Sequence, residues 1–102
     1  MIPSPGQVYR RIDRPDALVV VLSSQESNRR SRWVTVCMYS LTGLVGDLED
    51  SKPLHSLVPA PGFVTWPIHQ SVPITSLTEP LGEVETAALT AARFAMEARF
   101  AD

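Results

Sequence analysis

One cysteine, Cys37, stands in a chain of 102 residues. An intrachain disulfide is therefore excluded, and with it a bridge-stapled scaffold. Cys37 lies inside the run WVTVCMY, where a thiol packs as a small hydrophobe. That usage suits a reducing cytoplasm. Histidines are scarce as well. His55 and His69 are widely separated in sequence, and no spacing with Cys37 resembles a zinc site. No metal and no other cofactor is expected. The five glycines are scattered, so there is no glycine-rich phosphate loop. No serine sits in a nucleophile-elbow sequence. No apolar run approaches the ~18 residues that span a membrane, and the opening MIPSPGQVYRR lacks an apolar signal region. Neither an anchor nor a signal peptide is expected. The formal net charge of -2 gives no general attraction to nucleic acid.

What is present is organised around Ala17 to Ser40. Ala17–Leu22 is an unbroken apolar run rich in valine, and Trp33–Tyr39 is a second run of β-branched, aromatic and sulfur residues. Valine is stiff at χ1 and packs well on a pleated surface, so both runs predict strands. The polar link between them, Ser23–Arg32, predicts an antiparallel hairpin. An apolar run without alternation predicts a strand covered on both faces.

The flanks are shorter. Gln7–Ile12 is a strand candidate, and Asp13–Asp16, with Pro15 inside, reads as a breaker. Leu41–Pro53 reads as a surface loop and Leu54–Val58 as a short strand. Pro59, Pro61 and Gly62 make a turn. Phe63–Trp66 and Ile68–Ile74 are further strands, interrupted because Pro67 and Pro73 cannot donate to a ladder. From about Leu81 to Phe100 the period becomes helical, with Thr78 or Glu79 as N-cap and Pro80 in the first turn. Leu81, Val84, Ala88, Ala92 and Ala95 share one face of that helix, with Leu89 and Met96 beside it. Glu83, Thr86, Thr90, Arg93 and Glu97 share the opposite face. Phe94 flanks the apolar face, as a satellite core contact or an exposed interface residue. The chain thus predicts one α+β domain over residues 1–102. It is mostly β, a small, barrel-like, strongly bent antiparallel sheet of five to seven strands with a C-terminal helix.

The charge is unevenly placed. Arg10, Arg11, Arg14, Arg29, Arg30 and Arg32 fall in the first third, while Asp47, Glu49, Asp50, Glu79, Glu83 and Glu85 come later. Six arginines near one hairpin predict either a local basic face or a merely solvated one. Arginine is suited to phosphate recognition, and Trp33 and Tyr39 offer stacking surfaces for unpaired bases unless both are core. His55 and His69 are candidate general bases by residue type.

The order PGQVY, a valine-rich strand, SSQESNR, and a second apolar strand ending in a hydroxyl resembles the MazF/PemK toxin family. Gly6, Val8 and Tyr9 match the family's opening. Ser23, Ser24, Asn28 and Arg29 match its link, and Ser40 stands where a threonine is usual. Gln70 and the strand after it loosely match a Gln–Ile–Arg–Thr stretch. The resemblance covers most of the chain in order and is close over the first 40 residues.

It implies a CcdB/MazF/PemK-like fold and a type II toxin that cuts single-stranded RNA without metal. It also implies a homodimer neutralised by a cognate antitoxin. The family's catalytic arginine just before the second strand is replaced here by Asp16-Ala17, which makes Arg14 the nearest substitute. Arg14 and Ser40 are thus the expected catalytic pair. Arg10, Arg11, Asn28, Arg29, Arg30 and Arg32 are the expected RNA contacts. A CcdB-type gyrase poison is the alternative on the same fold, although the ending Arg99-Phe100-Ala101-Asp102 lacks the Trp–Gly–Ile those proteins use. An inactive binding relative is the third reading.

Overall fold

The computed structural model describes residues 1–42 and 48–100. Six strands form one antiparallel sheet. They are β1 (Gln7–Arg11), β2 (Arg14–Val21), β3 (Trp33–Ser40), β4 (His55–Ser56), β5 (Gly62–Pro73) and β6 (Gly82–Glu83), in the spatial order β4-β5-β3-β2-β1-β6. Three helices accompany it: α1 (Gln25–Ser31), α2 (Leu48–Ser51) and α3 (Thr86–Arg99). The sheet curls strongly into a half-barrel, and the expected mostly-β fold with a C-terminal helix is the one observed.

The two valine-rich runs pair as expected, Val19 with Met38, Val20 with Cys37 and Val21 with Val36. Consecutive β2 side chains enter opposite clusters. Val20 and Leu22 join Val8, Cys37, Tyr39 and Val64 against α3, whereas Val19 and Val21 join Tyr9, Val34, Val36 and Val72 on the other face. This is the physical meaning of the missing alternation: both faces are dry. Fully burying one such valine stabilises the fold by about 1.5–3 kcal/mol.

Several boundaries differ from the sequence expectation. The polar link is not a simple turn, because most of it is α1. Ser24 caps that helix by accepting from the Ser27 N–H at 3.2 Å, and Glu26 pairs with Arg30 one turn on. Cap and pair satisfy groups that a bare link would leave to water. Pro15 and Asp16 do not break the chain; they lie inside β2. The ladder passes from Arg11–Arg14 to Arg10–Leu18, so Pro15, Asp16 and Ala17 form a bulge in which a missing N–H loses no ladder bond. The same solution joins the two strands expected around Pro67 into one. Here β5 pairs Thr65 with Met38 and then His69 with Cys37, leaving Trp66, Pro67 and Ile68 outside the ladder.

Helix α3 begins five residues later than expected, at Thr86, with Glu85 as its cap residue. Thr78 instead bonds the backbone of Arg10. Gly82 adopts φ 145°, and a Cβ there would lie 2.8 Å from Pro59, so this position ends any helix and admits a close crossing. The predicted apolar face holds from Ala88 onward, with Ala88 and Ala92 buried, but Leu81 and Val84 lie before the helix and Phe94 is exposed. The expected loop Leu41–Pro53 lies partly outside the described residues. Its described end is α2, followed by a 3-10 turn at Lys52–Leu54. Tyr39 is core: its hydroxyl lies within hydrogen-bonding reach of the carbonyls of Ser56, Val58 and Ala60. Trp33 remains half exposed.

Candidate active site

The two bulges lie on β2 and β5, the strands on either side of β3, and a groove of about 310 Å³ opens between them. Arg14 immediately precedes the β2 bulge and His69 immediately follows the β5 bulge. Both line this groove, together with Arg11, Met38, Ile68 and Gln70. Bulges re-aim side chains that a regular ladder would send elsewhere.

The two arginines are held differently. Arg11 stands on β1, and its guanidinium is clamped by Asp13, with Nε to Oδ1 at 3.0 Å and an Nη to Oδ2 at 2.8 Å. Its side chain is only 15% exposed, although Asp13 itself faces solvent at 57%. Arg14 is exposed and has no hydrogen-bond or ion-pair partner among the described residues. An unpaired guanidinium at the mouth of an apolar-floored groove is an anion site with its donors free. His69 is fixed by its ring Nδ1, 2.8 Å from the Trp66 carbonyl oxygen. Cys37 reaches the floor, but burial pushes its thiol up to about 12, so it is neither nucleophile nor ligand at neutral pH. No cluster of three His, Cys, Asp or Glu among the described residues is placed to hold a metal ion.

The other expected site residues fall elsewhere. Ser40 ends β3 at the same end of the ladder as Arg14, but it does not line the groove; its hydroxyl lies 2.7 Å from that of Thr65. Asn28, expected to touch RNA, is fully buried. Its amide nitrogen donates to the Pro3 and Ser23 carbonyls at 2.9 and 3.2 Å, and its amide oxygen accepts from the Ser23 hydroxyl. It ties the N-terminal segment to α1 and offers no surface. Arg29, Arg30 and Arg32 stand at the α1 end of the β2–β3 pair, Arg30 bound to Glu26 and Arg32 closing the helix at φ 64°. They lie beyond the end of β2 opposite Arg14 and do not line the groove. Arg10 neighbours Arg11 in β1, so its side chain leaves the opposite face. The six arginines therefore make no single basic face.

The architecture has close counterparts among solved structures. A MazE–MazF crystal structure from Deinococcus radiodurans superposes with a TM-score of 0.75 at 19% identity, over 97% of this chain and 96% of that one. A mycobacterial endoribonuclease gives 0.78 at 21% identity, over 96% and 90% of the respective chains. The fold is of the MazF type. A mycobacterial endoribonuclease in complex with its cognate antitoxin adds a third match, with a TM-score of 0.71 at 20% identity over 95% and 91%. No family model matches the sequence, and no curated protein matches it. At these identities the likeness to MazF is one of fold, so the chemistry has to be argued from the groove.

The prolines were the available sequence signal for this groove. Pro15 and Pro67 read as breakers, but each marks a bulge beside a residue that lines the site. His69 carried the right residue type without a place. Pairing Arg14 with His69 required the curvature of the sheet.

Proposed function

We propose that this protein is the toxin of a toxin–antitoxin pair and cuts single-stranded RNA without a metal ion. The observation that carries the reading is Arg14. It is an unpartnered guanidinium near the Arg11–Asp13 pair, lining a groove on a MazF-type fold. Cleaving RNA through its own 2′-hydroxyl places extra negative charge on the phosphoryl oxygens in the transition state. A preorganised cation at that position lowers the barrier most. Arg14 supplies it, and the clamped Arg11 adds positive potential from the groove's inner side. The apolar floor made by Val19, Val36 and Met38 lowers the local dielectric and strengthens both. Arg29, Arg30 and Arg32 then contact the RNA backbone away from the reacting bond, with Trp33 available for base stacking.

The partners follow from the same reading. A cognate antitoxin neutralises the toxin, a reading supported by structural neighbours solved with MazE or with a cognate antitoxin. A homodimer covers exposed apolar residues outside the groove, such as Phe94, and adds core to a small chain. Light scattering at high micromolar concentration should return twice the monomer mass.

The deciding experiment incubates purified protein with single-stranded RNA in EDTA. Cleavage is expected with the chelator present. Intact RNA together with linear plasmid accumulating in the presence of gyrase would favour the gyrase-poison alternative. Intact RNA and intact plasmid would leave a binding relative of the fold.

A further inference from the structure

We infer that His69 is the general base of this site, the group that takes the proton from the 2′-hydroxyl of single-stranded RNA. The inference rests on the RNA-cleavage reading above and adds to it the residue that moves the proton. The Trp66 carbonyl can only accept, so the 2.8 Å contact places the hydrogen on Nδ1 of His69. Nε2 is then left as a lone pair. The Trp66–Ile68 bulge puts this ring on the same groove as Arg14 rather than in a regular ladder position.

Arg14 of β2 and Arg11 of β1 line the same groove as His69, with Asp13 bound to Arg11, and Arg99 of α3 lies 5.7 Å from the centroid of the Trp66 ring. From β3 the groove receives Cys37, whose buried thiol stays protonated. Among the described residues no carboxylate lines the groove, so His69 is the lining side chain left to accept the proton.

The step balances without a co-reactant other than water. The 2′-hydroxyl proton passes to Nε2, and the 2′-oxygen bonds to phosphorus. Arg14 holds the phosphoryl oxygens while the bond from phosphorus to the 5′-oxygen breaks. The departing 5′-oxygen takes a proton from water, and His69 releases its proton to solvent. The products are a 2′,3′-cyclic phosphate and a 5′-hydroxyl end.

The test compares the parent with His69→Ala and His69→Gln on a short single-stranded RNA in EDTA. Binding is measured separately on the same RNA carrying one 2′-deoxy residue at the cut site. For the parent, the cleavage rate should fall on the acidic side, where a proton on Nε2 blocks its role as base. His69→Ala should lose at least about 100-fold in rate, within the usual range for one acid–base group. Added imidazole should restore part of that loss, and binding of the deoxy RNA should be unchanged. His69→Gln should lose the acidic limb of the pH profile and keep the parent's melting temperature. The inference is overturned if His69→Ala cleaves as fast as the parent. It is equally overturned if the parent's acidic limb survives in His69→Gln. A parent that cuts no RNA overturns the reading beneath it as well, which separates the two failures.

Discussion

At one end of the β2–β3 pair, three arginines stand on or just beyond α1, a regular helix closed from within by Asn28. At the other end, two arginines and a histidine stand beside bulges. The residue chemistry is alike; the backbone is not. On the helix, successive arginines fan outward into water, and Arg30 is drawn to a partner on its own turn, Glu26. An exposed pair of that kind is worth about 0.3–0.5 kcal/mol. Beside the bulges, side chains from three strands converge on one volume, and Arg14 keeps its donors unspent. Regular backbone disperses charge, and irregular backbone gathers it.

Arg14→Ala should break this contrast most deeply. Cleavage is expected to fall by about 100-fold, the scale for losing one transition-state donor. An exposed, unpartnered residue leaves stability within about 0.5 kcal/mol. Quantifying RNA fragments against a melting curve checks both. Cleavage at the parent's rate would move the catalytic cation to Arg11, the other arginine of the groove.

The opposite result is expected from Asn28→Ala at the helix end. Removing a fully buried amide strands the Pro3 and Ser23 carbonyls and should cost about 1–3 kcal/mol of stability. Urea unfolding would read that loss, while the rate per folded molecule stays unchanged.

Smaller again is the effect of Arg29→Ala combined with Arg32→Ala. Each guanidinium taken away from an RNA phosphate should flatten the salt dependence of binding by ~0.7 in log–log slope. The cleavage rate at saturating RNA should hold. A slower rate at saturation instead would place the α1 end in the chemistry and erase the distinction between the two ends.

Ser40→Ala should do least. Its hydroxyl sits with that of Thr65 outside the groove, so the decline in cleavage should be well short of the Arg14→Ala loss. Ser40→Thr, which keeps the hydroxyl, should match the parent. A Ser40→Ala loss equal to that of Arg14→Ala would extend the site along β3.

These contrasts also explain what the chain disclosed in advance. The valine runs showed themselves because an uninterrupted apolar strand can only be one buried on both sides. Helix α3 was visible through Ala88, Leu89, Ala92 and Met96 for the same reason of period. Its start was misread because Leu81 fits the wheel, whereas Gly82 needs a backbone that helices do not use. Helix α1 was concealed by its own polarity. It buries Asn28 alone, so hydrophobic period carried no sign of it, and only Ser24 and the Glu26–Arg30 spacing did. Of the site, Arg14 was reachable by its distance from the valine run. Its companion in the groove was expected to be Ser40. His69 takes that place because register shifts on two strands, invisible in one dimension, bring positions 14 and 69 together.

The lengths of the outer strands bear on how this protein behaves in a crowded solution. β4 and β6, at the two margins of the sheet, are two residues each. β4 covers β5 only at Gly62 and Phe63, and farther along that margin Pro67 and Pro73 withhold donors. A neighbouring polypeptide seeking to extend the sheet meets margins too short or too interrupted to template it. A chain with so much valine in its centre is thereby kept from polymerising through its backbone, and any assembly it forms must be made by side chains.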